Sequence, residues 1–165
     1  MKLSYAFVFA TAFLVSSAIA SSLMPIDDAP LNPATGETDL GRLIKSMRPS
    51  LNEGEYVFIS VADAGDIPVK SIVCMFRENE GVTLILEKQD AERLALKYTS
   101  SFAWITLTVH SSLEATGLTA AFSTALARAS IGCNVVAAYY HDHIFVPFAD
   151  ASRAIDVLQE LSAQN

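Results

Sequence analysis

The sequence contains few of the residues that build disulfide frameworks, metal sites or nucleic-acid surfaces. Its 165 residues include two cysteines, three histidines and 11 basic residues against 18 acidic ones. Two thiols permit at most one bridge, and a structural zinc site needs more thiols or a spaced pair of histidines. The net charge of −7 repels phosphate backbones. We therefore expect no nucleic-acid partner, no metal and no cofactor.

Long apolar runs are also scarce, and the one notable run lies at the N-terminus. Lys2 is the only charge in the first 20 residues, which carry an apolar run over 3–15 and small residues at 18–20. This layout is typical of a secretory signal peptide, and the run is shorter than the ~20 residues of a membrane-spanning helix. The sequence predicts a signal peptide over 1–20 and a mature protein without a membrane span. We expect a secretory or extracellular location, with an intracellular or organellar one as the alternative.

The two cysteines leave two interpretations open. Cys74 and Cys133 both lie in apolar, strand-like runs. A cysteine in such a run usually behaves as a small buried hydrophobe. In an oxidising compartment the two thiols could instead form one disulfide.

Residues 21–98 read as a linker followed by a β-rich half. Residues 21–39 contain prolines and acidic residues without periodicity, which predicts a flexible linker. Over 40–98, apolar spacing and β-branched runs predict a β-rich half with two short helices. The helices are expected over 40–47 and 89–96, and the strands over 56–61, 71–76 and 82–86.

Residues 99–165 have a clearer pattern, in the order strand, helix, strand, strand, helix. An apolar stripe from Leu118 to Ala129 predicts the first helix, and Asp150 is a suitable N-cap for the last. Strands are expected over 104–109, 133–139 and 144–146. This order is most of an α+β, ferredoxin-like sandwich, in which an antiparallel sheet carries helices on one face. One strand is missing, and the first half has strands that can complete the sheet.

The second half resembles an ACT domain. The resemblance rests on the glycine-led small-residue helix over 117–127 and on the strand start at 131–136. The corner 141–146 is similar to that in the ACT modules of aspartate kinases, and Leu51-x-x-Gly54-Glu55-Tyr56 resembles small two-part ACT proteins. The resemblance spans roughly residues 40–163. It implies a ferredoxin-like βαββαβ fold with an ACT-like N-terminal half, and non-catalytic binding of an amino-acid-like ligand, with a homodimer as a natural assembly through the sheet edges.

The resemblance also implies which residues contact the ligand. Backbone N–H groups at a helix N-terminus suit a carboxylate, and a buried Asn or Asp suits an ammonium group. On this basis the carboxylate side is assigned to Ser111, Ser112, Gly117 and Leu118, and the amino side to Asn134 and Asp142.

Each of these residues also has a purely structural interpretation. Ser111 and Glu114 have the spacing of a capping box, and Gly117 can simply permit a bend. Asn134 can satisfy backbone groups at a strand start, and Asp142 can be a turn residue. A protein–protein interaction or structural module without a ligand is therefore the alternative function.

Enzymatic alternatives are weaker. A hydrolase could be built from Ser111 or Ser112 with His110 and Asp142, but adjacent residues on a strand point to opposite faces and no G-x-S-x-G elbow is present. A metal site at His141-x-His143 is geometrically open, although a polar corner beside a strand is ordinarily solvated. We expect the protein not to be an enzyme.

Overall fold

The computed structural model describes residues 36–109 and 115–164. The predicted signal peptide, most of the predicted linker, His110, Ser111 and Ser112 lie outside the described residues. The α-helices in the described ranges are α1 (Leu40–Ser46), α2 (Lys88–Arg93), α3 (Leu118–Arg128) and α4 (Ala151–Ala163). The strands there are β1 (Pro49–Leu51), β2 (Tyr56–Val61), β3 (Ile72–Glu78), β4 (Gly81–Glu87), β5 (Ser101–Leu107), β6 (Asn134–Ala137) and β7 (Asp142–Pro147).

All seven described strands form one antiparallel sheet. Its order is β3-β4-β2-β5-β7-β6, and β1 pairs with β5 as well. The two halves meet where β2 pairs with β5, at Tyr56 opposite Phe102. One continuous sheet therefore contains strands of both halves. β3 and β6 are the two ends of this strand order.

The strand missing from the second half is supplied by β1. Pro49 ends the helical stretch of α1 and starts β1, whose three residues pair with Ile105 to Leu107 of β5. β2 continues along the same edge of β5 after a break at residues 52–55. The second half thus gains its fourth strand from a segment that precedes it in the chain.

The described helices all lie on one face of the sheet, as predicted. Tyr56 and Phe102 are direct partners and share a face, so Val57 and Ala103, each one residue further on, share the other. This second face packs against the helices in two clusters of buried residues. The larger includes Ala103, Ile105, Ile144, Leu43, Phe122 and Leu158, and the smaller includes Val57, Leu86 and Ala91.

The opposite face carries a layer of aromatic side chains that joins the two halves. Tyr56 and Phe145 are buried there, with exposures of 4% and 1%. The hydrophobic cluster to which they belong consists of residues from strands alone, without a helix residue. Phe58 of the first half makes edge-to-face contacts with Phe102 and Phe145 of the second, with ring centroids 5.1 and 5.4 Å apart. Such pairs add to the stabilisation from burial, so this face is a second core layer.

Both thiols are free, so the disulfide interpretation is not realised. Cys74 lies in β3 beside the aromatic layer, and Cys133 precedes β6 on the helix side. Burial raises the pKa of the Cys133 thiol, which disfavours the reactive thiolate. Both cysteines are half-buried against hydrophobic clusters, so they behave as small hydrophobes, although neither is fully buried.

Two further properties concern the described residues alone. No helix among them is both long enough and apolar enough to cross a membrane. Within residues 36–109 and 115–164, no three His, Cys, Asp or Glu side chains come together in a way that could hold a metal ion.

Candidate functional site

Helix α3 begins with backbone donors that have no acceptor within the helix. Gly117 is its N-cap residue, has a left-handed φ of 96° and provides no side-chain cap. The first intrahelical bond runs from the Ala121 N–H to the Gly117 carbonyl. The N–H groups of residues 118–120 therefore have no acceptor within the helix, and they lie at the positive end of its dipole. This end of α3 suits an anionic group.

Gly117 also fits closely against α1. A Cβ at this position would lie 3.0 Å from Cδ2 of Leu40, and the φ value is one that residues with a side chain rarely adopt. The Leu118 side chain is 3% exposed and belongs to the core. Leu118 can therefore offer a ligand only its backbone N–H.

The chain topology places this helix start at the carboxyl end of β5. β7 pairs antiparallel with β5 on one side and with β6 on the other, where Asn134 is opposite Phe145 and Ala137 is opposite Asp142. β6 therefore runs parallel to β5, with β7 between them. The connecting helix α3 must therefore run back from the Leu107 end of β5 to the start of β6. Its N-terminus and Asp142, which pairs with Leu107, lie at the same end of the sheet.

Asp142 is the buried acid at this end. It is 8% exposed. Burial raises the pKa of the Asp142 carboxyl above its ordinary value, while the charge of His141 works in the opposite direction. A desolvated carboxylate is stabilised by a nearby cation.

Asn134 does not lie beside Asp142 and the start of α3. It opposes Phe145 in the sheet, three positions along β7 from Asp142, and shares the aromatic face with Phe145. Asp142 and its partner Leu107 point to the helix side instead. The Asn134 side chain is exposed and donates to the Phe145 carbonyl at 3.4 Å. The structure brings Gly117, Leu118 and Asp142 to one end of the sheet and leaves Asn134 out, because the period-2 alternation of the two strands separates the faces.

Asp150 takes the N-cap position of α4 but does not cap it. Its carboxylate accepts from Arg153 Nη1 at 2.5 Å and makes no capping bond to a backbone N–H of the first turn. The predicted N-cap is therefore right in position and wrong in mechanism, because an arginine three residues later is a stronger partner.

A polar network that sequence reasoning missed joins β5 and β7 to Asn52, the residue after β1, on the aromatic face. Trp104 Nε1 donates to His143 Nδ1 at 2.9 Å, and Thr106 Oγ1 lies 3.1 Å from the same nitrogen. Asn52 Nδ2 donates to Thr106 Oγ1 at 2.9 Å. An indole N–H can only donate, so His143 Nδ1 is unprotonated and the ring is neutral. The spacing of Trp104 and Thr106 along β5 indicates that both side chains lie on one face of the sheet. The sequence does not show which strand pairs with β5 at these positions.

We expect the free energy of unfolding to fall on acidification because of His143. Burial and the charge of His141 hold the pKa of His143 below its ordinary value of 6.5. The folded state then binds the proton more weakly than the unfolded chain. The contribution is fully present above 6.5 and is lost as the pH falls toward the folded pKa. Urea unfolding at several pH values should show this slope, and His143→Gln should reduce it. Equal slopes in both proteins would contradict the assignment.

Comparisons with known proteins agree with this architecture. Two models of the ACT domain match the chain, one over residues 35–103 and one over residues 99–160. A protein of unknown function from Vibrio cholerae, described as a possible transport protein, is 47% identical with a TM-score of 0.68. That match covers 74% of this chain and 95% of the other. No curated protein matches the chain.

More distant structures share the fold. A protein from Agrobacterium tumefaciens is 16% identical over 70% of this chain and 89% of its own, with a TM-score of 0.52. Aspartokinase III from Escherichia coli, in complex with aspartate and ADP, is 13% identical over 68% of this chain and 32% of its own, with a TM-score of 0.52.

The fold and the two domain matches define the class as an α+β protein with ferredoxin-like topology. More particularly, the chain belongs to the ACT-domain family, as a protein with two ACT domains in sequence. The first match spans α1, β1, β2, β3, β4 and α2, and the second spans β5, α3, β6, β7 and most of α4.

Proposed function

We propose that the protein binds a small α-amino-acid-like zwitterion, without transforming it, at the carboxyl end of β5. The ligand carboxylate accepts from the N–H groups of residues 118–120 at the start of α3, which have no acceptor within the helix. The ligand ammonium group lies against the Asp142 carboxylate. Both charges of one zwitterion are thus matched by groups at the same end of the sheet.

The observation that carries the proposal is the burial of the Asp142 carboxylate at the end of the sheet where α3 begins. Asp142 is 8% exposed, and burial raises the pKa of its carboxyl. A folded protein that keeps such a group charged loses stability unless a cation offsets it. A bound ammonium group supplies that cation, and the dipole of α3 holds the ligand's other end.

The comparisons support this class of ligand. The chain belongs to the ACT-domain family, and one structure with the same fold is an aspartokinase in complex with aspartate. Aspartate is therefore the first amino acid to test, followed by the other standard amino acids. A role in sensing follows if binding changes the contacts of α3 with α1, which meet at Gly117 and Leu40.

Asp142→Asn tests the site through two opposite effects. In the ligand-free protein at neutral pH, we expect unfolding to require at least as much free energy as in the wild type, because the raised pKa means that the charged carboxylate is unfavourable. For the amino acid that binds the wild type, we expect at least about tenfold weaker binding, because a charge-assisted contact is lost. Thermal unfolding and titration calorimetry measure the two effects.

Asn134→Ala is the matched control, because Asn134 lies on the other face of the sheet and should leave the affinity unchanged. Equal weakening in both variants would argue against a site at Asp142. If no amino acid binds the wild type, the proposal fails. The alternative function, a protein–protein interaction or structural module without a ligand, is then favoured.

A further inference from the structure

A cleft of about 440 Å³ lies between the two ACT domains, away from the site proposed above. Its floor is Ala103 of β5, which is 1% exposed. One wall comes from the segment 51–55 that joins β1 to β2 and from residues 87–92 around the start of α2. The other wall comes from Phe148 and Ala151 at the start of α4. Neither Gly117 nor Asp142 lines this cleft.

Part of the lining is apolar and open to solvent. Leu51 and Phe148 are 49% and 43% exposed, and they contribute to the cleft from different domains. Ala103 and Ala151 add small apolar surface between them. Concave apolar surface with a few polar groups is the usual composition of a small-molecule site. An apolar ligand body would cover this surface.

The remaining lining is strongly acidic. Glu53, Glu55, Glu87 and Glu92 face a single cation, Lys88. Lys88 Nζ lies 3.0 Å from Glu55 Oε2, and this pairing raises the pKa of Lys88 and lowers that of Glu55. Glu53 and Glu87 form no ion pair within residues 36–109 and 115–164. A concave surface with uncompensated carboxylates concentrates cations.

We propose that this cleft binds an organic cation, namely a primary amine with an apolar body. The ammonium group lies toward Glu53 and Glu87, and the apolar body packs on Leu51 and Phe148. Because the two domains each contribute a wall, an occupant contacts both of them. This site is distinct from the zwitterion site, which also requires a carboxylate on the ligand.

The test uses 2-phenylethylammonium chloride as the cationic probe and sodium 3-phenylpropionate as an anion of similar size. In two-dimensional amide NMR of the full chain, the cation should shift the Gly54 and Ala151 amides in a saturable way, and the anion should not. Glu53→Gln with Glu87→Gln should weaken binding roughly fivefold, since exposed charge pairs contribute modestly. Phe148→Ala should weaken it by a similar factor through lost apolar contact.

Matched controls lie on the β3–β4 hairpin. Phe76→Ala removes a phenylalanine of similar exposure, 48%, and Glu80→Gln removes an exposed carboxylate, so both should bind the probe as the wild type does. The proposal is overturned if the cation causes no shift at Gly54 and Ala151, if the anion binds equally, or if the glutamate variants keep the wild-type affinity. The Leu118 amide reports separately on amino-acid binding, so the two proposals can fail independently.

Discussion

Replacing Phe145 with alanine is expected to lower the free energy of unfolding by about 3–5 kcal/mol. Phe145 is 1% exposed and stacks on Trp104 with ring centroids 5.9 Å apart. It also meets Tyr56 and Phe58 of the first domain edge-to-face. The substitution removes a large buried ring and leaves a cavity at the point where the two domains share their aromatic layer. Urea unfolding followed by circular dichroism measures the loss.

Phe76→Ala is the control for this effect. Phe76 lies on the same face of the sheet in β3, but it is 48% exposed. Its removal should cost less than about 1 kcal/mol. Similar losses in the two variants would show that the aromatic face is ordinary surface.

The same experiment tests whether the two ACT domains unfold together. Trp104 is the only tryptophan of the chain and lies inside the shared layer. Its fluorescence should therefore change at the same urea concentration as the circular dichroism signal. Two separated transitions would contradict the shared core.

The sequence predicted most of the elements because their signals are local. The stripe of α3 and the alternation of β5 follow directly from the periods of helix and strand. The strand β1 was missed because three residues beginning with proline carry no periodicity. Only the pairing of Pro49–Leu51 with the end of β5 makes them a strand, and this pairing spans more than 50 residues of sequence.

The candidate site was partly predictable. Gly117 and Asp142 were predicted as ligand contacts from the resemblance to ACT domains, and they lie at one end of the sheet. Asn134 was grouped with them, but the side to which a strand residue points depends on register, which is set by distant partners. The cleft between the domains was not predictable for the same reason, since Leu51 and Phe148 are nearly 100 residues apart.

Replacing Gly81 with alanine is the second substitution with a large expected effect, a loss of about 2–3 kcal/mol in the free energy of unfolding. Gly81 starts β4 directly after the two-residue turn that follows Glu78, and it has a φ of 150°. A Cβ at this position would lie 2.6 Å from the carbonyl oxygen of Val61, a backbone atom that is fixed by the pairing of β2 with β4. The clash can be relieved only by distorting three strands of the first domain.

Gly132→Ala is the matched control, because a Cβ there would meet no atom within 4 Å and the residue does not have a positive φ. We expect it to change the free energy of unfolding by less than about 0.5 kcal/mol. Because the first domain shares the sheet and the aromatic layer with the second, Gly81→Ala should also lower the midpoint reported by Trp104, which lies in the second domain. If only the circular dichroism signal moved and the Trp104 transition stayed at its wild-type midpoint, the first domain would be unfolding by itself and the β2–β5 pairing would not couple the two domains.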